Sequence, residues 1–270
     1  VLLFYAGAAF AYYIAFPLIF GFFTSVAPQD VTIMTDINSY LDFVLKLFFA
    51  FGLAFEIPIA VILLIWSGIT TPEAGHDPFL PLAIAAEHTT RVRLGTNVAI
   101  AFPRSPMVTA QCAWDLQGYS GGRFALGIGT QIKGHNERRY ATPWPSAPGP
   151  RMREYVLCVR AMLRSFQDPG SPEYFEGEHY RLTMIPPFFN PGPIAHPDIP
   201  IHVAAVNPYM ARLAGEICDG LRLHPVATFA YTRDVLLPAI AAGAAKSGRD
   251  ASACELIGAP FLALGRDEEE

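Results

Sequence analysis

Trp66-Ser-Gly-Ile-Thr-Thr-Pro-Glu-Ala-Gly-His-Asp-Pro78 is where the chain changes character. Upstream, residues 1–73 hold one basic residue, Lys46, and five acidic ones, Asp30, Asp36, Asp42, Glu56 and Glu73. The rest of the 19 basic and 24 acidic residues lie downstream. The first piece is nearly uncharged and the second has an ordinary soluble composition, so two domains are expected, 1–73 and 74–270. A net charge of −5 gives no reason to propose nucleic acid as a partner. Cys112, Cys158, Cys218 and Cys254 all fall in the second piece, widely spaced and without a C-x-x-C pair. Buried free thiols in a reducing compartment are expected, and no metal-ligand spacing stands out.

Val1 to Phe23 carries no charge. A helix of that length spans about 35 Å, enough to cross a bilayer core. It lacks the basic start and cleavage site of a signal peptide. Pro17 would kink it, which membrane helices tolerate. Thr24 to Asn38 is polar and reads as a connecting loop. Tyr40 to Trp66 reads as a second helix, with Asp42 and Lys46 spaced to pair and with aromatic residues at both ends. Glu56 lies in its middle, where a charge costs about 3 kcal/mol and marks a functional carboxylate by default. The alternative is a pair of buried helices in a soluble protein, with Glu56 paired to a core arginine.

Several segments of this piece resemble TatC, a subunit of the twin-arginine protein translocase. They are Phe10-Ala-Tyr-Tyr, Phe16-Pro, Ala27-Pro, Thr35-Asp-Ile-Asn-Ser-Tyr-Leu, Phe51-Gly-Leu-Ala-Phe-Glu-Ile-Pro and Gly68-Ile-Thr-Thr-Pro-Glu. The resemblance covers residues 1–73 and corresponds to that family's third and fourth transmembrane helices. It implies a bacterial inner-membrane hairpin in contact with lipid, with Glu56 on the concave face of the protein. It also implies that the 24–38 loop lies outside and the C-terminal domain in the cytoplasm. The loop has no Lys or Arg while Arg91 and Arg93 follow the second helix, which agrees with that orientation. Other translocase subunits would be partners. The remaining helices of that family are not present in this sequence.

From Asp77 onward short helices alternate with short apolar strands, the pattern of a parallel sheet. Asp77-Pro78, Ser105-Pro106 and Asn207-Pro208 each place a capping side chain before a proline at a helix start. Helices are expected near 78–89, 105–119, 151–166, 208–217 and 231–247. Strands are expected near 93–100, 124–129, 200–206, 220–224 and 254–264. Segment 167–199, rich in Pro, Gly and aromatics, reads as an insertion. Ligands of parallel sheets bind at the carboxyl ends of the strands. Those ends carry Asn97 and Val98, Gly127-Ile-Gly-Thr130, and Ala205-Val206-Asn207. Asn207 reads as a helix cap on local evidence, and the two glycines read as packing or as close approach by a flat ligand. The third glycine of a dinucleotide fingerprint is missing. His88, His179 and His202 read as structural or surface residues, and no catalytic residue is singled out.

Arg93-Leu-Gly-Thr-Asn-Val, Ser105-Pro, Ala110-Gln, Ser120-Gly-Gly-Arg-Phe, Leu126-Gly-Ile-Gly-Thr, Arg151-Met-Arg-Glu-Tyr and Ala211-Arg-Leu-Ala-Gly-Glu-Ile-Cys-Asp-Gly resemble the luciferase-like monooxygenase superfamily, nearest to its deazaflavin branch. The resemblance implies an α/β fold, a (β/α)8 TIM barrel, and an oxidoreductase acting on a small-molecule substrate. The implied cofactor is coenzyme F-420, an 8-hydroxy-5-deazaflavin, with FMN as the alternative. It also implies a cofactor wall at Asn97 and Val98, where relatives often have a non-prolyl cis peptide, and at Thr130. A phosphate turn is implied at Ala205, Val206 and Asn207, although this sequence has no glycine there. With five readable strands the barrel is expected to be incomplete, its first two strands replaced by TatC-like sequence and the 93–100 strand left with an open edge unless the hairpin or a second chain covers it. The acidic or histidine residue that relatives carry after the second strand is expected to be lost with them. Three functions are then open: the oxidoreductase, a membrane component of the twin-arginine translocase, and an inactive hybrid of two partial genes.

Overall fold

The computed structural model describes residues 2–26, 41–52 and 68–258. The chain divides into two compact units, Val1–Ser67 and Gly68–Glu270.

In the first unit, α1 (Leu2–Phe10), a π-helical segment (Ala11–Ala15) and α2 (Phe16–Val26) follow one another. Phe10 and Phe16 keep right-handed helical dihedrals, so the backbone stays helical through the junctions. The π segment has a cause. Pro17 cannot donate to the carbonyl four residues back and its ring crowds that carbonyl, and the wider turn just before it makes room. A second helix, α3, covers residues 41–52. The two run antiparallel, with Phe4 against Phe49 and Phe16 against Phe48 at ring-centroid separations of 6.0 and 5.2 Å. Glycine sets the closeness: a Cβ on Gly7 would lie 2.4 Å from the Phe51 carbonyl oxygen. Lys46 donates to Asp42 at 2.7 Å, as the spacing predicts. The first helix runs to Val26, three residues past its expected end. Among the described residues no helix is long and apolar enough to cross a membrane. Residues 53–66, including Glu56, and the expected loop beyond Val26 lie outside the described residues.

The second unit is built on a parallel sheet. Its strands are β1 (Ile69–Thr71), β2 (Leu94–Thr96), β3 (Ala99–Ile100), β4 (Phe124–Gly129), β7 (Ile201–Ala205), β8 (Gly220–Leu223) and β9 (Glu255–Ile257). The order is β1-β2-β4-β7-β8-β9, with β3 also on β4. The expected 93–100 strand is therefore one path broken at Asn97–Val98, whose peptide bond is cis. Helices α4 (Leu80–His88), α5 (Pro106–Tyr119), α6 (Lys133–Arg139), α7 (Pro148–Gln167), α8 (Pro208–Ile217) and α10 (Leu237–Lys246) alternate with the strands. The short α9 (Phe229–Tyr231) and a π segment (Thr232–Leu236) lead into α10. That π segment again stands just before a proline, Pro238. Within 167–199, Phe175–Glu176 (β5) and Arg181–Leu182 (β6) form a small antiparallel hairpin.

The two faces of the main sheet differ. Leu94, Leu126, Ile128, Ile201, Val203 and Leu221 bury themselves with Trp114, Tyr155, Met162, Phe166 and Leu213 of the helices. On the other face, Gly95, Gly127 and Gly220 leave room for two long polar side chains. A Cβ on Gly127 would lie 2.3 Å from Arg222 Nε, and one on Gly220 would lie 2.8 Å from His202 Cδ2.

The 93–100 strand has no open edge on that side, because β1 pairs with it in parallel, Ile69 opposite Leu94 and Thr71 opposite Thr96. Gly68-Ile-Thr-Thr, read as the end of a membrane hairpin, supplies a barrel strand. Its three β-branched residues suit a pleated ladder, and a left-handed Gly68 (φ 75°) turns the chain into it. The described residues thus give six parallel strand positions where five were read. The expected strand at 254–264 is described only over Glu255–Ile257.

Candidate cofactor site at the strand ends

All the sequence-predicted residues of the second unit lie at or just beyond the carboxyl ends of their strands, although they do not form one pocket. Asn97 follows β2, and its N–H donates to the Thr71 carbonyl at 2.8 Å. Just before it, Thr96 is buried and its hydroxyl both accepts from Gly127 N (3.0 Å) and donates to Gly127 O (2.5 Å). Val98 then packs its side chain on β4. A Cβ on Gly129 would lie 2.9 Å from Val98 Cγ2 and 3.4 Å from Ala204 Cβ. The absence of a side chain at Gly129 lets Val98 pack closely there beside Ala204 of β7, in an apolar contact.

Thr130 and Asn207 share a cavity of about 580 Å³, walled by Ile132, Trp144, Gly149 and Tyr209, with Lys133 at its margin. The loop after β4 is held by Asn136, which is fully buried and donates to the carbonyls of Thr130 (2.9 Å) and Ile132 (3.1 Å). Asn207 is the cap of α8: its Oδ1 accepts from Met210 N at 2.9 Å. Pro208 has no N–H and Met210 has given its own to the cap, so in the first turn the N–H left to face an anion is that of Tyr209. Ala205 and Val206 line a separate cavity of about 340 Å³ with His224, Thr228 and Tyr231, whose hydroxyl donates to the Val206 carbonyl at 2.8 Å. Asn97 and Val98 line neither of these cavities.

Other groups were not foreseen. Glu73 stands two residues beyond β1, so a carboxylate follows the strand that precedes 93–100. Its side chain is 5 % exposed and accepts from Ile100 N at 2.7 Å, Tyr140 Oη at 2.9 Å and the Arg104 guanidinium. Arg104 also pairs with Asp77 at 2.9 Å. No sequence signal marks these contacts, which join residues up to 67 positions apart. Asn136 was missed for the same reason. The cysteines are free thiols. Burial pushes Cys158 and Cys218 up to about 12, which keeps them protonated and unreactive. Glu154, Glu178 and His179 lie close together. Glu154 is occupied there as an acceptor for the backbone N–H groups of Glu178, His179 and Tyr180, and so anchors the β5–β6 turn.

Comparison with known proteins gives two matches along the chain. Residues 64–270 match the model of the luciferase-like monooxygenases, and residues 1–79 match that of the Sec-independent protein translocase protein TatC. An uncharacterized protein of Mycobacterium tuberculosis is 46% identical over 205 residues, 76% of this chain and 60% of that one. TatC of Haemophilus influenzae is 68% identical over 85 residues, 32% of this chain and 33% of that protein. The chain thus spans 60% of the length of its mycobacterial relative and a third of that of TatC. Among solved structures, the coenzyme F-420-dependent tetrahydromethanopterin reductase of Methanopyrus kandleri superposes with a TM-score of 0.59 at 23% identity. That superposition covers 69% of this chain and 55% of the reductase. A riboflavin lyase solved with modified FMN superposes with a TM-score of 0.58 at 17% identity, over 68% and 44%. These likenesses show a luciferase-like α/β barrel fold.

Proposed function

The chain belongs, through residues 64–270, to the luciferase-like monooxygenase family, and on that footing we propose that its second unit is an oxidoreductase domain working with a deazaflavin or flavin. The observation that carries this reading is the close apolar contact of Val98, Gly129 and Ala204 at the strand ends, with Thr130, next in the chain, opening onto a cavity shared with Asn207. A planar ring needs a wall without projecting side chains, and its phosphate needs donors nearby. Asn97, Val98 and Thr130 are assigned to the ring, and Ala205, Val206, Asn207 and the Tyr209 N–H to the phosphate end. The single usable N–H in the first turn makes this a weak anion site, so modest affinity is expected.

Coenzyme F-420 is proposed as the cofactor, with FMN as the alternative. Solved structures of similar fold carry either name. When bound, the group supplies hydride chemistry. The chain's own part is to hold the ring flat, to orient a small-molecule substrate over it and to keep water from one face. The full chain in detergent is titrated with each cofactor and followed by fluorescence. Saturable binding that Thr130→Ala weakens by about tenfold, on the order of 1.4 kcal/mol, supports the reading. Binding of neither cofactor favours an inactive hybrid.

For the first unit, the second reading is a membrane hairpin of the TatC type. It is favoured by the 68% identity with the Haemophilus protein and by the exposed Tyr5, Tyr13, Leu18 and Phe22 on the first helical run. Such a hairpin would sit in the bacterial inner membrane, in contact with lipid and other translocase subunits, with the barrel domain in the cytoplasm. Glu56 would be its intramembrane carboxylate.

A further inference from the structure

Glu73 lies within residues 64–79, the stretch that both family matches claim. It touches three of the loops that follow consecutive strand positions. Its own loop runs from β1 to α4. Through Ile100 N (2.7 Å) and the Arg104 guanidinium it holds the path from β3 to α5. Through Tyr140 Oη (2.9 Å) it holds the end of α6, beyond β4. Its backbone reaches the same region, because Glu73 N donates to the Val98 carbonyl at 3.3 Å. Two further bonds lie nearby without touching Val98–Ile100: Arg104 reaches Asp77 at 2.9 Å, and Arg139 donates to the Ala74 carbonyl.

We propose that Glu73 is the positioning residue of the cofactor wall. Its carboxylate and N–H grip the segment Val98–Ile100 from both ends and fix the face that Val98 presents against Gly129. The proposal rests on the cofactor reading above. Both carboxylate oxygens are engaged, Oε1 by Tyr140 and Oε2 by Ile100 and Arg104. The group therefore holds its neighbours through both oxygens. A buried, hydrogen-bonded carboxylate of this kind is costly to truncate, because its partners are then left unsatisfied. The burden falls on the one strand path that is broken in the middle, between β2 and β3, where the ladder alone does not hold Asn97 and Val98.

The test uses the full chain in detergent, with Glu73→Gln, Glu73→Ala and Asp77→Asn. The control also removes a partner of Arg104 but touches nothing in Val98–Ile100. Binding of coenzyme F-420 and of FMN is read by fluorescence, and hydrogen exchange is read on peptides spanning residues 96–104. Glu73→Gln keeps an acceptor for Ile100 N and should raise the dissociation constant about tenfold, with Glu73→Ala weaker still. Both should speed exchange at 98–100. Asp77→Asn should leave affinity within twofold of wild type and exchange at 98–100 unchanged. Wild type that binds a cofactor, together with a folded Glu73→Ala that binds it equally well, overturns the proposal alone. Equal losses in Glu73→Gln and Asp77→Asn also overturn it, since they would mark a general loosening. Wild type that binds neither cofactor overturns the cofactor reading and this proposal with it.

Discussion

His202 sits on the glycine-rich face of the sheet, 1 % exposed, and neither of its ring nitrogens has a hydrogen-bond partner. Burial first, and then the Arg222 guanidinium beside it, pull its pKa down to about 4. Glu255, 3.7 Å away, and Asp219 pull the other way and lose, while Arg93 adds to the lowering. In the unfolded chain the same ring titrates near ~6.5. Between those values the unfolded chain takes up a proton that the folded chain refuses. Folding stability therefore falls as pH drops from ~6.5 toward ~4, by about 3 kcal/mol in all, and this contribution is flat above that window. His202→Leu removes the titrating group without adding an unsatisfied one. The variant is expected to gain on wild type steadily between pH 7 and pH 4 in urea unfolding. A difference between the two that does not change with pH would contradict the assignment of a neutral buried imidazole. Arg222 shares this face, with Nε and Nη1 unpartnered and its pKa lowered to about 10 by burial, so it stays charged at neutral pH.

At the scale of elements, α8 and α10 cross at two glycines. A Cβ on Gly243 would lie 1.9 Å from the Arg212 carbonyl oxygen, and one on Gly215 would lie 2.1 Å from that of Ile240. Both obstacles are helix backbone, which cannot rotate away as a side chain can. Gly243→Ala is expected to cost about 1–3 kcal/mol through forced separation of the helices. Gly248→Ala tests a different cause, because nothing lies near its Cβ and only its left-handed φ of 65° opposes the change. Thermal unfolding of the two variants side by side checks this, with a smaller loss at Gly248. These crossings also show what the sequence could carry. Strand 124–129 and helix 208–217 were legible to the residue, because a continuous apolar run and an Asn-Pro cap are local signals. Helix α6, Lys-Gly-His-Asn-Glu-Arg-Arg, has no apolar face and left no periodicity to read. Strand β1 is three residues long and reads as TatC-like sequence following the membrane hairpin's second helix; its pairing with β2 gives it away. The residues around the site followed the same rule. Thr130 and Asn207 stand at element ends that a sequence reveals, whereas Glu73 and Asn136 act through partners in space.

For the whole molecule the decisive question is what covers the first unit. Leu2 to Val26 is helical throughout, about 37 Å long at 1.5 Å per residue, and contains no charged residue. The π segment divides this run into α1 and α2, neither of which is long enough alone to cross a bilayer, and the membrane reading proposed above takes the two together. Tyr5, Tyr13, Leu18 and Phe22 are all more than 60% exposed on it, as is about half of Leu45 and Phe49 on α3. In water each Å² of exposed apolar surface costs about 25 cal/mol. The second unit has its own hydrophobic core. The full chain is therefore expected in the membrane fraction, resistant to alkaline carbonate and released by detergent. In sealed inner-membrane vesicles turned inside out, protease should digest the second unit, and in right-side-out vesicles it should be protected. Recovery of the full chain as a monomer without detergent would remove the membrane reading of residues 1–67. Digestion in right-side-out vesicles would leave the hairpin standing but reverse its orientation.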